Sequence, residues 1–386
     1  MPLSFEFATA HRVLFGAGRL KDVPAFVRSL GSSVLVMTGS SPQRAAGLLQ
    51  GLRETGLELR TQQICGEPRV EDVEEGAATL RRLQFPVVVG FGGGSVLDAA
   101  KAVSIMAKQE GTVLDFLEVV GRGRGLRDES LPCVAIPTTA GTGTEVTRNA
   151  VITSEEHRVK ASLRSPAMLP RLALVDPTLC FGLPRPILAA TGMDALTQLI
   201  EPFVSCRANP TVDALCREGM ARSARSLTQA WDQPDDLEAR EDLSLASLHS
   251  GWALANAGLG AVHGIAAPLG GMFKAPHGAV CAALLAPVMR MNWNALRTRA
   301  PGHPSIEKYR QVAVLLTGNA VAGAEEGMAW VEDLARRFEI PGLRHYGVRS
   351  DDFEGVAEAA QKASSMKANP IALETRELME VLERVW

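Results

Sequence analysis

P-V-V-V-G-F-G-G-G-S-V-L-D-A-A-K-A, residues 86–102, decides the fold. A short β-branched run passes through three consecutive glycines and a serine into an Ala-rich stretch. A strand buried on both faces reads as a continuous apolar run, and glycines after it let the chain turn tightly into a helix. Backbone N–H groups at such a helix start carry partial positive charge and suit a phosphate. The competing reading is a turn that needs glycine for geometry alone; three glycines followed by serine favour phosphate. The stretch is not G-x-G-x-x-G, so the usual dinucleotide fingerprint is absent.

The same texture recurs on either side. Ser33–Thr38, Leu131–Pro137 and Leu172–Asp176 are short, rich in Val, Leu or Ile, and bounded by Gly, Ser or Pro. Helical patterns such as Val70–Leu83 lie between these runs, and the alternation predicts an open α/β sheet over residues 1–180. After Pro177 strand-like runs nearly vanish. Met193–Val204, Thr211–Trp231, Asp235–Ala257, Gly278–Leu296, Ile306–Leu316, Ala324–Phe338 and Ser350–Ala363 carry helical apolar spacing, which predicts an all-α domain over 181–386.

Bulk properties agree with two domains, since 386 residues is long for one core. A net charge of −3 lacks the basic footprint of a nucleic-acid binder. No run approaches the ~18 apolar residues of a membrane span. The start, M-P-L-S-F-E-F-A-T-A-H-R, has no basic region followed by an apolar one, so no signal peptide is expected. The six cysteines are scattered without C-x-x-C spacing, which predicts neither a zinc ribbon nor a disulfide framework and fits a reducing cytoplasm. Several read as small core hydrophobes, and none is expected to be catalytic.

Three further segments carry chemistry. A-I-P-T-T-A-G-T-G-T-E-V-T-R-N-A-V-I-T, residues 135–153, crowds Thr138, Thr139, Thr142, Thr144 and Thr147 behind a strand. Hydroxyls and free backbone N–H groups suit a phosphate, a ribose or a nicotinamide amide; the alternative is a polar surface loop. Asp194 and Gln198, in T-G-M-D-A-L-T-Q-L-I-E-P, are four apart and share a helix face. His263 and His277 stand 14 residues apart in A-V-H-G-I-A-A-P-L-G-G-M-F-K-A-P-H-G. A carboxylate and two imidazoles are good ligands for Zn²⁺ or Fe²⁺, while Gln198 puts an amide where a better ligand is expected. Taken singly, a histidine near glycine is more often a satisfied core or loop residue.

Assembled, these segments resemble the iron-containing (group III) alcohol dehydrogenase family over nearly the whole chain. The resemblance rests on G-G-G-S-V-L-D-A-A-K, P-T-T-A-G-T-G-T-E-V-T, V-D-P-T-L, G-M-D-A-L-T and an H-x13-H ending in A-P-H-G. It implies an α/β N-terminal Rossmann-like domain plus an all-α C-terminal domain, the dehydroquinate synthase-like fold, with the active site in the cleft between them. It implies an NAD(P)-linked alcohol dehydrogenase that transfers hydride to or from a small substrate, and a homodimer. By the same resemblance Gly93, Gly94, Ser95 and Asp98 hold the pyrophosphate, and Thr138, Thr139, Thr142, Thr147 and Asn149 line the dinucleotide site. Lys160 and Leu179 approach the cofactor. Asp194, His263 and His277 match three of four metal ligands and carry the catalytic role, with Gln198 at the fourth position.

Three departures stand out. The family usually has His where this chain has Gln198, and commonly has a second active-site His at the position of Ala267. Gly39 replaces the Asp of many NAD-preferring members; with Ser40, Ser41 and Arg44 following, NADP(H) is expected to be tolerated or preferred, unless the serines merely cap the next helix. Candidate pocket residues, Phe116, Met193, Phe203, Trp252 and Met272, are mostly apolar. Competing readings are a metal-independent maleylacetate-reductase-like enzyme, a dehydroquinate-synthase-like lyase, and a degraded enzyme with an assembly role.

Overall fold

Val87–Gly92 lies inside a six-stranded sheet with every residue buried, as its unbroken apolar run requires. The computed structural model describes residues 4–157 and 159–386. The strands are β1 (Val13–Phe15), β2 (Ser33–Thr38), β3 (Glu58–Gln63), β4 (Val87–Gly92), β5 (Cys133–Pro137), β6 (Asn149–Ser154), β7 (Val159–Arg164) and β8 (Leu172–Val175). Six of them order as β1-β8-β5-β4-β2-β3, with all neighbours parallel, and β6 and β7 form a separate antiparallel pair.

Helices α1 (Val23–Leu30), α2 (Ala46–Glu54), α3 (Val70–Leu83), α4 (Gly94–Met106) and α5 (Val113–Phe116) fall between these strands. Two apolar clusters form the core of this unit. One includes Val36, Val89 and Ile136; the other includes Leu35, Val88 and Val103. Successive strand residues point to opposite faces, so consecutive residues of β2 and of β4 feed different clusters.

The remaining helices are α6 (Arg185–Val204), α7 (Pro210–Asp232), α8 (Leu237–Ala257), α9 (Ala261–Phe273), α10 (His277–Arg299), α11 (Ser305–Thr317), α12 (Ala324–Arg337), α13 (Phe353–Lys362) and α14 (Thr375–Arg384). The chain divides into two compact units: an α/β unit, Ala8–Thr139 with Gly143–Phe181, and a helical unit that holds Gly182–Trp386 and Ala140–Thr142. In α6 the residues from Gly192 to Val204 are all buried, so this helix crosses the interior of the helical unit and its polar members need partners there. No helix among the described residues is long and apolar enough to cross a membrane.

Sequence periodicity and structure differ where polarity or glycine masks an element. The edge strand β3 reads E-L-R-T-Q-Q and has no buried residue, so it lacks the apolar run that marks its neighbours. Helix α9 contains Gly264, Gly270 and Gly271 and an internal Pro268, which hide a fully formed helix inside an apparent loop.

Candidate functional site

Helix α6 presents Asp194, Gln198 and Glu201 at i, i+4 and i+7, a polar stripe on a mostly apolar buried helix. Asp194 and Gln198 are each 2% exposed and Glu201 5%, so each must find a partner. Gln198 Nε2 donates to Asp194 Oδ2 at 3.1 Å. Asp194 Oδ1 lies 3.3 Å from His263 Nε2 and 3.8 Å from His277 Nε2. His263 stands in the first turn of α9 and His277 opens α10.

Two glycines allow these helices to meet. A Cβ on Gly260, before α9, would stand 2.8 Å from Asn369 Oδ1 and 2.9 Å from Glu201 Oε1. One on Gly278, in the first turn of α10, would stand 2.6 Å from the Ala190 carbonyl oxygen of α6. Glu201 and Asn369 then cap α9 from outside. Ala261 N donates to Asn369 Oδ1 at 3.0 Å and Val262 N to Glu201 Oε1 at 2.7 Å. The second Glu201 oxygen lies 2.7 Å from His263 Nδ1, which turns Nε2 toward Asp194.

Cys281, one turn along α10 from His277, completes the group. Its Sγ lies 3.9 Å from His263 Nε2 and 3.7 Å from His277 Nε2. One donor atom from each of Asp194, His263, His277 and Cys281 falls within 4.8 Å of all the others. Asp194 Oδ1 and Gln198 Oε1 are buried without a hydrogen-bond partner. Orphaned acceptors beside converging imidazoles and a thiol are what a divalent cation would satisfy, and the donor types fit Zn²⁺ or Fe²⁺. Electrostatics agree. Burial alone pushes the His263 imidazole down, yet Cys281, Glu201 and Asp194 hold it well above the usual histidine range. Burial likewise pushes Asp194 up, but His263 and His277 hold it below the usual carboxylate range. The cluster attracts positive charge.

In the α/β unit the glycine turn joins β4 to α4, with Gly93 at the N-cap and Gly94 and Ser95 in the first turn. A Cβ on Gly93 would stand 3.5 Å from Thr139 Oγ1, so the turn and Thr139 adjoin. Thr138 N donates to the Gly92 carbonyl at 2.9 Å. Asp98, Thr147 and Asn149 have internal duties. Asp98 Oδ2 accepts from Val151 N at 2.9 Å, and Oδ1 accepts from the Thr144 hydroxyl. Lys101, fully buried, donates to Thr144 O at 2.9 Å, Thr144 Oγ1 at 2.6 Å, Thr147 Oγ1 at 2.9 Å and the Asn149 carbonyl. Burial pulls its ammonium below the usual lysine range, against the opposing pull of Asp98 at 3.2 Å. Lys101 closes the G-G-G-S-V-L-D-A-A-K stretch, three residues after Asp98, but nothing in that spacing shows that it is buried and holds the threonine segment.

The remaining candidates are dispersed. Lys160 pairs with Glu67 at 3.1 Å. Gly39 accepts from Gln63 Nε2 at 3.3 Å, and Ser40 is exposed. Ser41 occupies the N-cap of the turn at Pro42–Ala45 but makes no side-chain cap. The Arg44 guanidinium donates to the carbonyls of Leu179 and Phe181. Thr142 belongs to the helical unit. Met193 and Phe203 are fully buried, whereas Met272 is half exposed.

Known proteins carry the same architecture. A family profile described as "Iron-containing alcohol dehydrogenase" matches residues 10–177, and one described as "Fe-containing alcohol dehydrogenase family, C-terminal" matches residues 188–386. The 1,3-propanediol dehydrogenase of Klebsiella pneumoniae is 35% identical over 379 residues, covering 95% of each chain. A solved 1,3-propanediol oxidoreductase superposes with a TM-score of 0.92 at 33% identity over the full length of both chains. Sulfoacetaldehyde reductase from Bifidobacterium kashiwanohense, solved in complex with NAD⁺, gives a TM-score of 0.85 at 25% identity, covering 100% of this chain and 99% of that one.

Proposed function

The chain belongs to the iron-containing alcohol dehydrogenase family, and from that premise we propose reversible, metal-dependent hydride transfer between NAD(P)(H) and a small alcohol–carbonyl pair. The observation that carries the metal reading is the convergence of Asp194, His263, His277 and Cys281 donor atoms within 4.8 Å, beside two orphaned acceptors. Asp194, His263 and His277 hold the metal, with Gln198 beside them. The glycine turn with Ser95, Thr138 and Thr139 serves the nucleotide; Asp98, Thr147, Asn149 and Lys160 shape that region, and Gly39, Ser40 and Leu179 flank it.

A divalent metal bound there supplies a Lewis acid that polarises the substrate oxygen, and the nicotinamide supplies or accepts the hydride. The chain's own residues do the positioning. Glu201 fixes the His263 ring, and Gln198 fixes one Asp194 oxygen so that the other faces the imidazoles. Ala267 cannot move a proton. That task falls to a cofactor hydroxyl or to water, which the 36% exposed His277 side chain leaves room for, since the His277 Nε2 itself is committed to the metal. Tolerance of NADP(H) is supported by Gly39 and Ser40 in place of a carboxylate. The engagement of Arg44 with the Leu179 and Phe181 carbonyls argues that Arg44 is not the 2′-phosphate partner. A cytoplasmic homodimer completes the reading, supported by the family resemblance and by six cysteines that form no disulfide.

Nicotinamide absorbance with a panel of small alcohols, aldehydes and ketones, with and without Zn²⁺ or Fe²⁺, tests the reading. His263→Ala should remove most turnover. Turnover near the parent level, or turnover indifferent to chelation, would favour the metal-independent reductase instead. Nucleotide bound but never consumed would favour the lyase.

A further inference from the structure

Gln198 leaves one corner of the cage with a weak, neutral donor, while a buried thiol points at both imidazoles. We propose that the Cys281 thiolate, not the Gln198 carbonyl, is the fourth protein ligand, which makes a centre of one carboxylate, two imidazoles and one thiolate, to which a substrate oxygen would add as a fifth donor. The proposal rests on the metal-dependent reading above.

The distances support it. Tetrahedral zinc with bonds of about 2.0–2.1 Å to N or O and about 2.3 Å to S requires ligand–ligand edges of roughly 3.3–3.4 Å for N–O pairs and roughly 3.5–3.6 Å for N–S pairs. The matching edges are 3.3 and 3.8 Å from Asp194 Oδ1 to the imidazole Nε2 atoms, and 3.9 and 3.7 Å from Cys281 Sγ to the same atoms. These four edges lie within about half an ångström of closure, and the remaining two are within 4.8 Å. The elements support it as well. His277 and Cys281 sit one turn apart on α10, opposite the Asp194–Gln198 pair one turn apart on α6, so two helix faces supply the cage with His263 from α9.

Chemistry separates the two candidates for the fourth corner. A thiolate is an anionic, soft donor that zinc binds readily; an amide oxygen is neutral and hard. Gln198 already has a task, because its amide nitrogen donates to the outer oxygen of Asp194 and leaves the inner one free. Cys281 is fully buried, yet its sulfur faces two ring nitrogens. Metal binding would release the thiol proton to solvent and form the metal–sulfur bond with no change of oxidation state. A thiolate in the set favours zinc over ferrous iron.

Cobalt(II) reports the ligand directly. The full-length protein, stripped and reloaded, should bind about one Co²⁺ per chain and show a near-ultraviolet sulfur-to-cobalt charge-transfer band. Cys281→Ser should abolish the band and weaken cobalt binding at least about 10-fold in chelator competition. Gln198→Met should keep the band. Stoichiometric cobalt without the band, bound equally by parent and Cys281→Ser, overturns the thiolate assignment and leaves the metal reading standing. Failure of the parent to bind cobalt, with His263→Ala indistinguishable, overturns both. X-ray absorption on the zinc-loaded parent needs no variant. One sulfur at about 2.3 Å is expected, and a shell of nitrogen and oxygen alone refutes the proposal.

Discussion

Glu201 sets a helix end and a ligand's orientation with one side chain. Its Oε1 takes the Val262 N–H at 2.7 Å, and its Oε2 meets His263 Nδ1 at 2.7 Å. With Nδ1–H given to the carboxylate, the Nε2 lone pair faces the cage. Glu201→Gln keeps the shape but weakens that acceptor, and metal affinity should fall about 10- to 100-fold in chelator competition. Unchanged affinity would show that the carboxylate does not orient the ring. The sequence displayed part of this site. Asp194 and Gln198 are visible as one helix face and the two histidines as candidate ligands. Glu201 was hidden because its partner lies 62 residues away. Cys281 was hidden because a lone cysteine in an apolar helix normally reads as a small core hydrophobe.

At the scale of elements, α4 shows why the glycine turn is rigid. Its residues from Val96 to Met106, Asp98 excepted, are buried, so it is a core helix rather than an amphipathic surface one. Asp98 and Lys101 extend from it as two clamps on the segment from Thr144 to Val151. Lys101→Met would leave the Thr144 and Asn149 carbonyls and Asp98 without their shared cation. The expected cost is about 3–5 kcal/mol in denaturant unfolding, with weaker nucleotide binding and unchanged metal content. Loss of bound metal, or a cost below ~1 kcal/mol, would remove the clamp role. Such elements were legible in proportion to how continuously they are buried. Ser33–Thr38 and Val70–Leu83 match β2 and α3 residue for residue, because an apolar run and a helical stripe each leave a periodic trace. The polar edge strand β3 and the glycine-interrupted helix α9 leave none; strand pairing stabilises the first, and outside capping by Glu201 and Asn369 the second.

For the whole molecule, buried carboxyls of opposite character set the pH window of stability. Burial opposes the charge on Asp242, but Arg225, Ser226 and Arg222 hold it below the usual carboxylate range, so its contribution is present near neutrality and is lost as pH falls through its folded-state value. Glu145 behaves in the reverse sense. It is 2% exposed in the threonine segment, and burial pushes it from 4.5 up to about 7, against its own backbone N–H and Lys101. The folded chain therefore keeps a proton that the unfolded chain releases from about 4.5 upward. Stability associated with neutral Glu145 is complete below that value and declines as pH rises to about 7. Beyond that the loss levels off at about 3 kcal/mol, since each pKa unit is worth about 1.4 kcal/mol. Glu145→Gln is permanently neutral and should flatten this limb. Denaturant unfolding of parent and variant from about pH 4.5 to 8 isolates the effect, because the other titrations cancel in the difference. The variant should gain on the parent steadily up to about pH 7 and then run parallel. Curves parallel from about pH 4.5 would mean that Glu145 ionises in the folded chain as it does in the unfolded one.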